Sequence, residues 1–321
     1  MRLLIGTYTH GTTSEGIYTL MLDRETGRLS EPELFVRTEN PSWMLSDGAR
    51  LLVANEHGNA DGSGEISLFG LAAGRAREIG RLSSQGADPC HLALAAGRLA
   101  VTNYTGGSVA LFDWRPQGTP ELLAVFRPER TGPHPRQARP HPHGACFVDD
   151  ELWIADLGGD CIYRLDARTA EPRGRIDVPA GTGPRHLTPD GRYLVGELES
   201  TVLPILGRTA GPPIASLPDT FTGRSIAAEI AAHGNRLYVS NRGHDSITVI
   251  ETSPVPRVLQ HRSSGGRHPR HFLVTPDGRY LLVANKDSNS VLAMVLTADG
   301  RIGETTDRVS CPSPVQLLAA D

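Results

Sequence analysis

The sequence predicts an all-β fold, a seven-bladed β-propeller of four-stranded antiparallel blades, from two observations. A short apolar segment recurs at intervals of 41 to 53 residues, at 4–7, 52–55, 100–103, 153–156, 194–197, 238–241 and 282–285. A β-rich repeat of that length is typical of one propeller blade. The chain also has 35 Gly and 24 Pro in 321 residues and no long amphipathic helical pattern. That composition indicates many short strands joined by tight turns.

The first blade is predicted to be completed by the end of the chain. Strands are expected at residues 3–8 and 16–22 with a turn at 23–27, but no innermost strand precedes them. Residues 311–318 resemble residues 40–45, which open the second blade. We therefore expect the last segment to pair beside the first strand. This pairing closes the ring of a single domain at residues 1–321 and leaves no long exposed sheet edge.

The other blades follow in chain order. They are predicted at residues 41–83, 89–126, 143–178, 185–217, 225–262 and 270–308, with third strands of the second and third blades at 65–69 and 108–112. Residues 127–143 form the longest polar loop, a length that in compact domains indicates function or mobility. The fifth blade is short, and Pro204 falls where its third strand should run. A proline there fits only an edge or a bulge.

Composition and charge exclude several classes of partner. The net charge of −4 does not favour a nucleic-acid or membrane partner. The chain opens directly with a strand, so no signal peptide is expected, and no apolar run reaches the length of a membrane span. The four cysteines form no CxxC pair, which favours a reduced, cytoplasmic protein. His134, His141 and His143 have no accompanying Cys or Asp, so neither a metal nor a cofactor is expected.

The predicted topology collects polar side chains at one mouth of the central channel. In an up-and-down blade, the loop entering strand one and the loop leaving strand two lie at the same end. The entry side chains are His91, His141, His143, Arg185, His186, Arg270 and His271. The exit side chains are Tyr8, Glu56, Tyr104, Asp156, Glu197, Arg242 and Lys286. All of them are expected to surround this mouth.

Each candidate also has a structural interpretation. His143, beside His141 and before Gly144, is expected to be functional. Arg185 and Arg270 either bind substrate or bridge loop carbonyls between blades. Glu197 either forms an ion pair with Arg185 or helps to build a site for a charged substrate.

The remaining polar residues are given plainer roles. Glu229 is expected to face the channel, where pairing with a buried arginine is the structural alternative. Glu56 and Lys286 are expected to be solvated rim residues. The Asn and Asp residues that end the second strands are expected to form turns.

Several motifs carry a family resemblance. They are Asn40-Pro41-Ser42, Asp88-Pro89-Cys90-His91, Asn103-Tyr104, Arg136-Gln137 with Pro140-His141-Pro142-His143, Gly183-Pro184-Arg185-His186, Glu197-Leu198-Glu199-Ser200-Thr201-Val202, Ala228-Glu229-Ile230, Tyr238-Val239-Ser240-Asn241-Arg242-Gly243 and Pro269-Arg270. With these motifs the whole chain resembles the lactonase family of seven-bladed β-propellers. That family includes a bacterial 6-phosphogluconolactonase and the fungal carboxy-muconate lactonising enzyme. The short fifth blade and Ala232-His233-Gly234-Asn235, in place of a Pro-Asp-Gly turn, depart from its pattern.

The resemblance implies an enzyme and a set of site residues. The fungal branch is thought to use a histidine, two arginines and a glutamate, which fall here on His143, Arg185, Arg242 and Glu197. The other residues assigned to substrate binding are His91, Arg136, His141, His186, Glu229 and Arg270. The implied reaction is hydrolysis of a sugar-acid lactone, with arginines stabilising the oxyanion.

The chemistry of these residues narrows the mechanism without settling it. The general base is His143 or Glu197, and His143 is favoured at neutral pH. No G-x-S-x-G motif is present, which disfavours a covalent acyl-enzyme. The surplus arginines Arg136, Arg267 and Arg270 indicate a small anionic lactone, with a phosphate as the favoured charge.

Two other functions remain open at this point. The same residues could serve a muconate-type cycloisomerase. A propeller without catalytic activity could bind a small anion or a protein partner, since fold alone proves no chemistry. The basic, histidine-rich mouth and the lack of a WD-type signature favour a small anion over a protein.

Overall fold

The fold was analysed in a computed structural model that describes residues 1–58, 64–115 and 118–320. Seven antiparallel sheets follow one another along these residues, and each contains four strands or, in one case, five. The prediction of a seven-bladed β-propeller is confirmed. Helical structure in the described ranges amounts to two single 3-10 turns, Pro135–Gln137 and Lys286–Ser288. No helix in those ranges has the length and apolar character required to cross a bilayer.

The strands are short and evenly spaced. In the first three blades they are β1 (Arg2–Thr7), β2 (Gly16–Met21), β3 (Glu33–Arg37), β4 (Pro41–Ser46), β5 (Arg50–Asn55), β6 (Glu65–Ala72), β7 (Arg75–Ser83), β8 (Pro89–Ala95), β9 (Arg98–Asn103), β10 (Ser108–Asp113) and β11 (Glu121–Phe126). In the fourth and fifth they are β12 (Pro142–Val148), β13 (Glu151–Asp156), β14 (Cys161–Asp166), β15 (Pro172–Asp177), β16 (Pro184–Leu187), β17 (Tyr193–Gly196), β18 (Thr201–Leu206), β19 (Thr209–Ala210) and β20 (Ile214–Ala215). In the last two they are β21 (Ile226–His233), β22 (Arg236–Arg242), β23 (Ser246–Glu251), β24 (Arg257–Ser263), β25 (Pro269–Val274), β26 (Tyr280–Asn285), β27 (Ser290–Leu296) and β28 (Ile302–Ser310), followed by β29 (Pro314–Ala319).

The ring is closed by the two ends of the chain, as the sequence predicts. The first sheet has the order β29-β1-β2-β3, so the C-terminal strand is its innermost member. Leu4 lies opposite Leu318 and Ile5 opposite Leu317 in this antiparallel pairing. The amide of Gln316 adds a link to the second blade, because it accepts a hydrogen bond from the Met44 N–H and donates one to the Met44 carbonyl.

The apolar core lies between neighbouring blades rather than at one centre. The second strand of each blade is packed on both faces, so it is apolar over several consecutive residues instead of alternating. Strand β5 is buried at every position. Leu3 and Ile5 of the first blade pack with Leu282 and Ala284 of the seventh. Such packing is local to each pair of blades and leaves the channel free for polar side chains.

Pro204 lies inside β18, the third strand of the fifth blade, with neighbouring strands on both sides. The outer edge of the blade is divided at this point. Strand β20 pairs with Thr201 and Val202, whereas β19 pairs with Ile205 and Leu206. The proline therefore falls in the gap between two two-residue strands, where no ladder hydrogen bond from its nitrogen is needed.

The asparagines that end the second strands anchor loops, whereas Asp156, which ends β13, accepts the Gly158 N–H and forms the turn expected of these residues. The Nδ2 groups of Asn103, Asn241 and Asn285 donate to the carbonyls of Ser84, Ser216 and Ser264 at 2.7, 3.2 and 2.9 Å. Each accepting carbonyl belongs to the segment that leads into the same blade or follows the previous one. A buried amide in this position satisfies loop backbone groups that would otherwise lack partners. These asparagines thereby fix the loops at the mouth of the channel.

Candidate functional site

A β-bulge near the start of each innermost strand decides which side chains enter the channel. The pairing register shifts directly after Pro41, Pro89, Pro142, Pro184, Ala227 and Pro269. A bulge inserts an extra residue and breaks the alternation of side chains between the two faces of a strand. Consecutive residues such as Arg185 and His186 are consequently both buried along the channel, at two different depths.

Twelve side chains surround a cavity of about 170 Å³ that we call the mouth pocket. They come from entry bulges, from the ends of second strands and from the long polar loop. The lining residues are Tyr8, Glu56, Cys90, Tyr104, Arg136, His143, Arg185, Glu197, Arg242, His268, Arg270 and Lys286. The structure thus brings together all four residues assigned to catalysis, along with Arg136 and Arg270 from the substrate-binding set.

Glu197 lies among three arginines. Its Oε1 is 2.6 Å from Arg136 Nη1, and its Oε2 is 2.7 Å from Arg185 Nη1 and 3.0 Å from Arg242 Nη2. The carboxylate is almost entirely buried. Burial opposes its charge, but the positive charges of Arg242, Arg185 and Arg136 outweigh burial and hold the pKa of Glu197 well below its usual range. It is therefore an anion at any working pH.

His143 adjoins this cluster. Its Nε2 contacts Nη1 of Arg185 and lies 4.0 Å from Glu197 Oε2, and its Nδ1 lies 3.9 Å from the Cys90 sulfur. A guanidinium can only donate, so Nε2 must be the accepting nitrogen. Burial and the positive charges of Arg185 and Arg270 hold the pKa of His143 well below its ordinary value. The imidazole is therefore neutral at neutral pH.

Both proposed roles of Arg185 are compatible with its contacts. Its Nε donates to the Ala228 carbonyl at 2.8 Å, and Arg242 Nη2 donates to the Ala227 carbonyl at 2.8 Å. Two successive carbonyls of β21 thus hold both guanidiniums in place. Nη2 of Arg185 and Nε of Arg242 are buried and have no hydrogen-bond partner among the described residues. Burial lowers the pKa of Arg242 to about 10, which still leaves it cationic at neutral pH.

Arg136 reaches the pocket from the 127–143 loop, which is firmly anchored. Gln137 is fully buried, and its side chain accepts from the His134 N–H and donates to the Leu157 carbonyl. His134 in turn accepts from the Arg136 N–H. These contacts hold the 3-10 turn that directs Arg136 toward Glu197.

His141 lies behind the pocket wall rather than in it. Its ring stacks on Tyr104 with centroids 4.3 Å apart, and its Nδ1 is 2.8 Å from the Tyr104 carbonyl oxygen. The Tyr104 hydroxyl accepts a hydrogen bond from Arg136 Nη2 at 2.8 Å. Asp156, which was expected at the mouth, instead accepts the His141 N–H at 2.7 Å. His141 and Asp156 therefore act on the pocket only through Tyr104 and Arg136.

The opposite wall is formed by Arg270, Tyr8 and Glu56. The Tyr8 hydroxyl accepts hydrogen bonds from Arg270 Nε and Nη2 and donates to Glu56 Oε2 at 2.9 Å. Arg270 Nη2 also lies 3.0 Å from the same carboxylate oxygen. Glu56 is thus tied into the pocket wall, and the expectation of a solvated rim residue is wrong because its partners come from blades distant in sequence.

His91, His186 and Glu229 do not line the mouth pocket, which differs from the expectation. They lie deeper in the channel than the mouth pocket and line a second cavity of about 400 Å³, which we call the lower cavity. His186 Nδ1 is 3.1 Å from Glu229 Oε2, and His271 Nε2 is 3.6 Å from it. The physical reason is the bulge after Pro184, because it directs Arg185 toward the mouth pocket and His186 toward the lower cavity. Glu229 accordingly pairs with histidines and not with an arginine.

Rings from this deeper layer close the channel beneath the mouth pocket. Trp43 lies 4.2 Å from the His91 ring, 5.2 Å from the His186 ring and 5.6 Å from the His271 ring, measured between centroids. Burial lowers the pKa of His271 to about 4, and the pKa values of His91 and His186 lie well below the ordinary range for the same reason. These three histidines are therefore uncharged at neutral pH and form the floor of the mouth pocket.

Tyr8 and Tyr104 line the pocket where the topology predicts them, although no role was assigned to them, whereas Cys90 and His268 are pocket residues that were not predicted at the mouth. Cys90 and His268 belong to the entry segments, and their positions one residue from His91 and Pro269 are the only sequence signal for them. Arg267 is exposed and lies outside the pocket. In the described part of the chain, no group of three or more His, Cys, Asp or Glu residues is arranged to hold a metal ion.

Comparison with known proteins decides the family. A family model described as "Lactonase, 7-bladed beta-propeller" matches residues 2–319. The chain belongs to this lactonase family. It is 30% identical to the 6-phosphogluconolactonase of Bacillus subtilis (strain 168), an alignment that covers 97% of this chain and 96% of that protein.

Other lactonase-family proteins resemble the chain as closely in structure or sequence. The periplasmic gluconolactonase of Pseudomonas aeruginosa superposes with a TM-score of 0.90 at 29% identity, covering 99% of this chain and 98% of that one. The 6-phosphogluconolactonase of Formosa agariphila is 28% identical over 90% of this chain and 91% of that protein. The family resemblance inferred from motifs is thereby confirmed.

Within this lactonase-family scaffold, the mouth pocket offers a definite set of chemical groups. Four guanidiniums, one ammonium and two carboxylates supply charge, and the neutral His143 supplies a proton acceptor. Preorganised donors of this kind stabilise charge that develops on an oxygen. A neutral imidazole beside them can take a proton from water.

Proposed function

We propose that the chain hydrolyses the lactone ring of a sugar acid, in the manner of a 6-phosphogluconolactonase, and that the mouth pocket is its active site. The observation that carries this proposal is the buried cluster of Glu197, Arg136, Arg185 and Arg242 with the neutral His143 against it. The activities for which the lactonase-family relatives are named support the same reaction.

In the proposed mechanism, His143 is the general base. In the free protein the Nε2 lone pair accepts from Arg185 Nη1, and we infer that bound substrate draws this guanidinium away from it. Nε2 then removes a proton from water while the water oxygen bonds to the lactone carbonyl carbon, and the carbonyl oxygen becomes an oxyanion. Arg185 and Arg242 both line the pocket, and their positive charges stabilise that oxyanion. Collapse of the intermediate breaks the bond to the ring oxygen. The ring oxygen takes the proton from His143 and leaves as a hydroxyl group of the open acid.

Glu197 is assigned a positioning role in place of the base. A carboxylate whose pKa is held far below its usual range is a poor proton acceptor, because its conjugate acid is too strong. Its two oxygens instead fix the three guanidiniums that would otherwise repel one another. The pKa of His143 is also lowered, but the imidazole is neutral and makes no ion pair with the arginines, so it is favoured over Glu197 as the base.

We also propose that the reaction takes place in the cytoplasm. Cys90, Cys146, Cys161 and Cys311 are all free and buried, as is usual in a reducing compartment. The Pseudomonas aeruginosa relative is described as periplasmic, so the compartment needs its own measurement. Cell fractionation followed by immunoblotting distinguishes the two locations.

The proposed activity is tested with a panel of substrates read against spontaneous hydrolysis at the same pH. The panel contains 6-phospho-δ-gluconolactone, δ-gluconolactone and a carboxy-muconate. Hydrolysis of a sugar lactone above the spontaneous rate supports the proposal. Turnover of the muconate alone would replace it with a cycloisomerase, and turnover of none would leave a binding protein without catalysis.

A further inference from the structure

We propose that Arg270 and Lys286 form a phosphate subsite on the wall of the mouth pocket opposite Glu197. On this view they bind the phosphate of a phosphorylated sugar lactone and select it over the unphosphorylated one. The inference rests on the proposed lactonase function and adds to it the residues that decide the substrate. Three observations support it: the fixed position of the Arg270 guanidinium, the position of Lys286 and the net charge of the pocket.

Arg270 is held rigidly with one end of its guanidinium unused. Nε and Nη2 donate to the Tyr8 hydroxyl at 3.1 and 2.7 Å, and Nη2 also contacts Glu56. The third nitrogen, Nη1, has no hydrogen-bond partner among the described residues. The side chain is 9% exposed and lines the pocket. An immobilised guanidinium with a free N–H is well suited to a phosphate oxygen.

Lys286 is the only lysine in the 321-residue sequence, and every other cationic side chain of fixed charge is an arginine. It directly follows β26 and lines the same pocket as Arg270. Its ammonium contacts Asp287 and is 25% exposed, so it can turn toward a bound anion. Asp287 Oδ2 lies 3.4 Å from Nδ1 of His268, another lining residue of this wall.

The charge of the mouth pocket matches a dianion. Five cationic side chains and two carboxylates line the pocket, and Asp287 adds a third carboxylate beside Lys286, which leaves an excess of two positive charges. A neutral sugar lactone brings no charge to balance this excess. A phosphate monoester carries up to two negative charges at neutral pH. The excess therefore favours the phosphorylated substrate class.

The two groups of residues come from different blades, which adjoin where the sixth blade meets the seventh. His143, Arg185, Glu197 and Arg242 belong to blades four to six, whereas Arg270 and Lys286 belong to the seventh blade, with Tyr8 from the first. In a six-membered sugar lactone the carbonyl carbon and the carbon that carries the exocyclic phosphate-bearing group are the two neighbours of the ring oxygen, so the carbonyl and the phosphate extend from the ring in diverging directions. A substrate with its carbonyl at Arg185 can thus present its phosphate to Arg270.

The kinetic test compares 6-phospho-δ-gluconolactone with δ-gluconolactone, which differ only in the phosphate. In Arg270→Gln and in Lys286→Gln, we expect kcat/KM for the phosphorylated lactone to fall by at least about tenfold more than kcat/KM for δ-gluconolactone. Arg267→Gln removes an exposed charge at the same mouth and is the matched control, with no change in either value. The subsite would be overturned if, in both test variants, the ratio of kcat/KM for the phosphorylated lactone to kcat/KM for δ-gluconolactone equals that of the unaltered protein.

This design separates the two proposals. If the unaltered protein hydrolyses neither lactone, the lactonase function fails. If it hydrolyses both and the variants lower both rates equally, the function stands and the subsite fails. Lys286 lies in a short exposed turn, so Lys286→Gln remains informative should Arg270→Gln fold poorly.

A second measurement needs no catalysis. Pyridoxal 5′-phosphate forms an imine with a lysine amine, with loss of water, and borohydride reduces the imine to a stable secondary amine. We expect rapid labelling of Lys286 that inorganic phosphate blocks, slow labelling by pyridoxal, and no side-chain label in Lys286→Arg, as read by peptide mass spectrometry. Equal labelling rates with pyridoxal and its phosphate would contradict a phosphate subsite.

Discussion

The carboxylate of Glu197 lies 2.7 Å from the guanidinium of Arg185, and both side chains are almost completely buried. The two residues belong to one hairpin of the fifth blade, Arg185 near the start of β16 and Glu197 directly after β17. The hairpin brings them together far from its turn. The pair is therefore formed by local backbone, and the other site residues assemble around it.

Replacing Glu197 by Gln is expected to destabilise the fold, since three guanidiniums lose their shared anion. Removal of one partner from a buried ion pair typically costs about 3–5 kcal/mol of unfolding free energy. Chemical denaturation at pH 7 measures the loss. Glu199→Gln, an exposed change two residues away, is the control and should alter stability by no more than about 0.5 kcal/mol.

The same pair has a defined pH dependence. The folded-state pKa of Glu197 is depressed, so its stabilising contribution is present above the ordinary carboxyl pKa and is lost as pH falls through the lower folded value. The stability difference between the unaltered protein and Glu197→Gln should hence stay constant from pH 8 to about pH 5. A difference that vanishes at pH 6 would contradict the assigned charge state.

His143 should set the acid limb of the rate profile. Because its pKa lies well below the ordinary value, the neutral base persists as the solution is acidified. We expect kcat/KM of the unaltered protein to stay constant as the pH is lowered through 6.5. We expect His143→Asn to lower kcat by about 10²–10⁴-fold. Stopped-flow rates corrected for spontaneous hydrolysis check both. An acid limb centred at pH 6.5 or higher would count against a buried neutral base.

The uncharged floor of histidines should make the protein sensitive to acid. His91, His186 and His271 have lowered folded pKa values, so below about pH 6.5 the unfolded chain takes up protons that the folded chain does not. Each such histidine removes up to about 1.4 kcal/mol of unfolding free energy per pH unit. Denaturation at pH 7, 6 and 5 measures this slope.

A matched pair of variants isolates the contribution of one histidine. His271→Gln should flatten the dependence on pH, and His10→Gln, at an exposed position, should leave it unchanged. If the unfolding free energy of His271→Gln changes with pH as steeply as that of the unaltered protein, His271 does not contribute to the acid sensitivity.

Ring closure predicts that the C-terminal strand supports the whole domain. Deleting residues 310–321 removes β29 and exposes the edge of β1 together with the side chains of Leu3 and Ile5. We expect a lower melting temperature and loss of a single cooperative transition. Scanning calorimetry provides the measurement, and an unaltered melting temperature would refute closure by this strand.

The sequence was sufficient for the blades and for much of the mouth because both depend on local signals. The repeat of apolar segments and turns sets the strands, and propeller topology alone places Tyr8, Glu197 and Arg242 at one end. The sequence does not predict which residues contact each other within the pocket. Arg136 meets Glu197 from a loop 61 residues away, and nothing in either segment specifies that pairing.

The bulges explain the main difference between expectation and structure. On a regular strand only one of Arg185 and His186 would face the channel, because successive side chains point to opposite faces. From the sequence, both are expected at the same depth in the channel. The register shift after Pro184 instead gives two layers, one of arginines at the mouth and one of histidines beneath it. Two polar residues directly after the strand's first proline are the only local sign of this arrangement, and they do not show which layer each occupies.

The most direct test of the proposed site is the hydrolysis of 6-phospho-δ-gluconolactone by Arg185→Lys. This variant keeps a positive charge beside Glu197 but loses the planar fork and its free N–H. The account predicts that kcat falls by at least about tenfold while the melting temperature shows that the fold is retained, since one lost oxyanion donor commonly costs about 10²–10³ in kcat. Full activity in a folded Arg185→Lys protein would contradict the assignment of this pocket as the catalytic site.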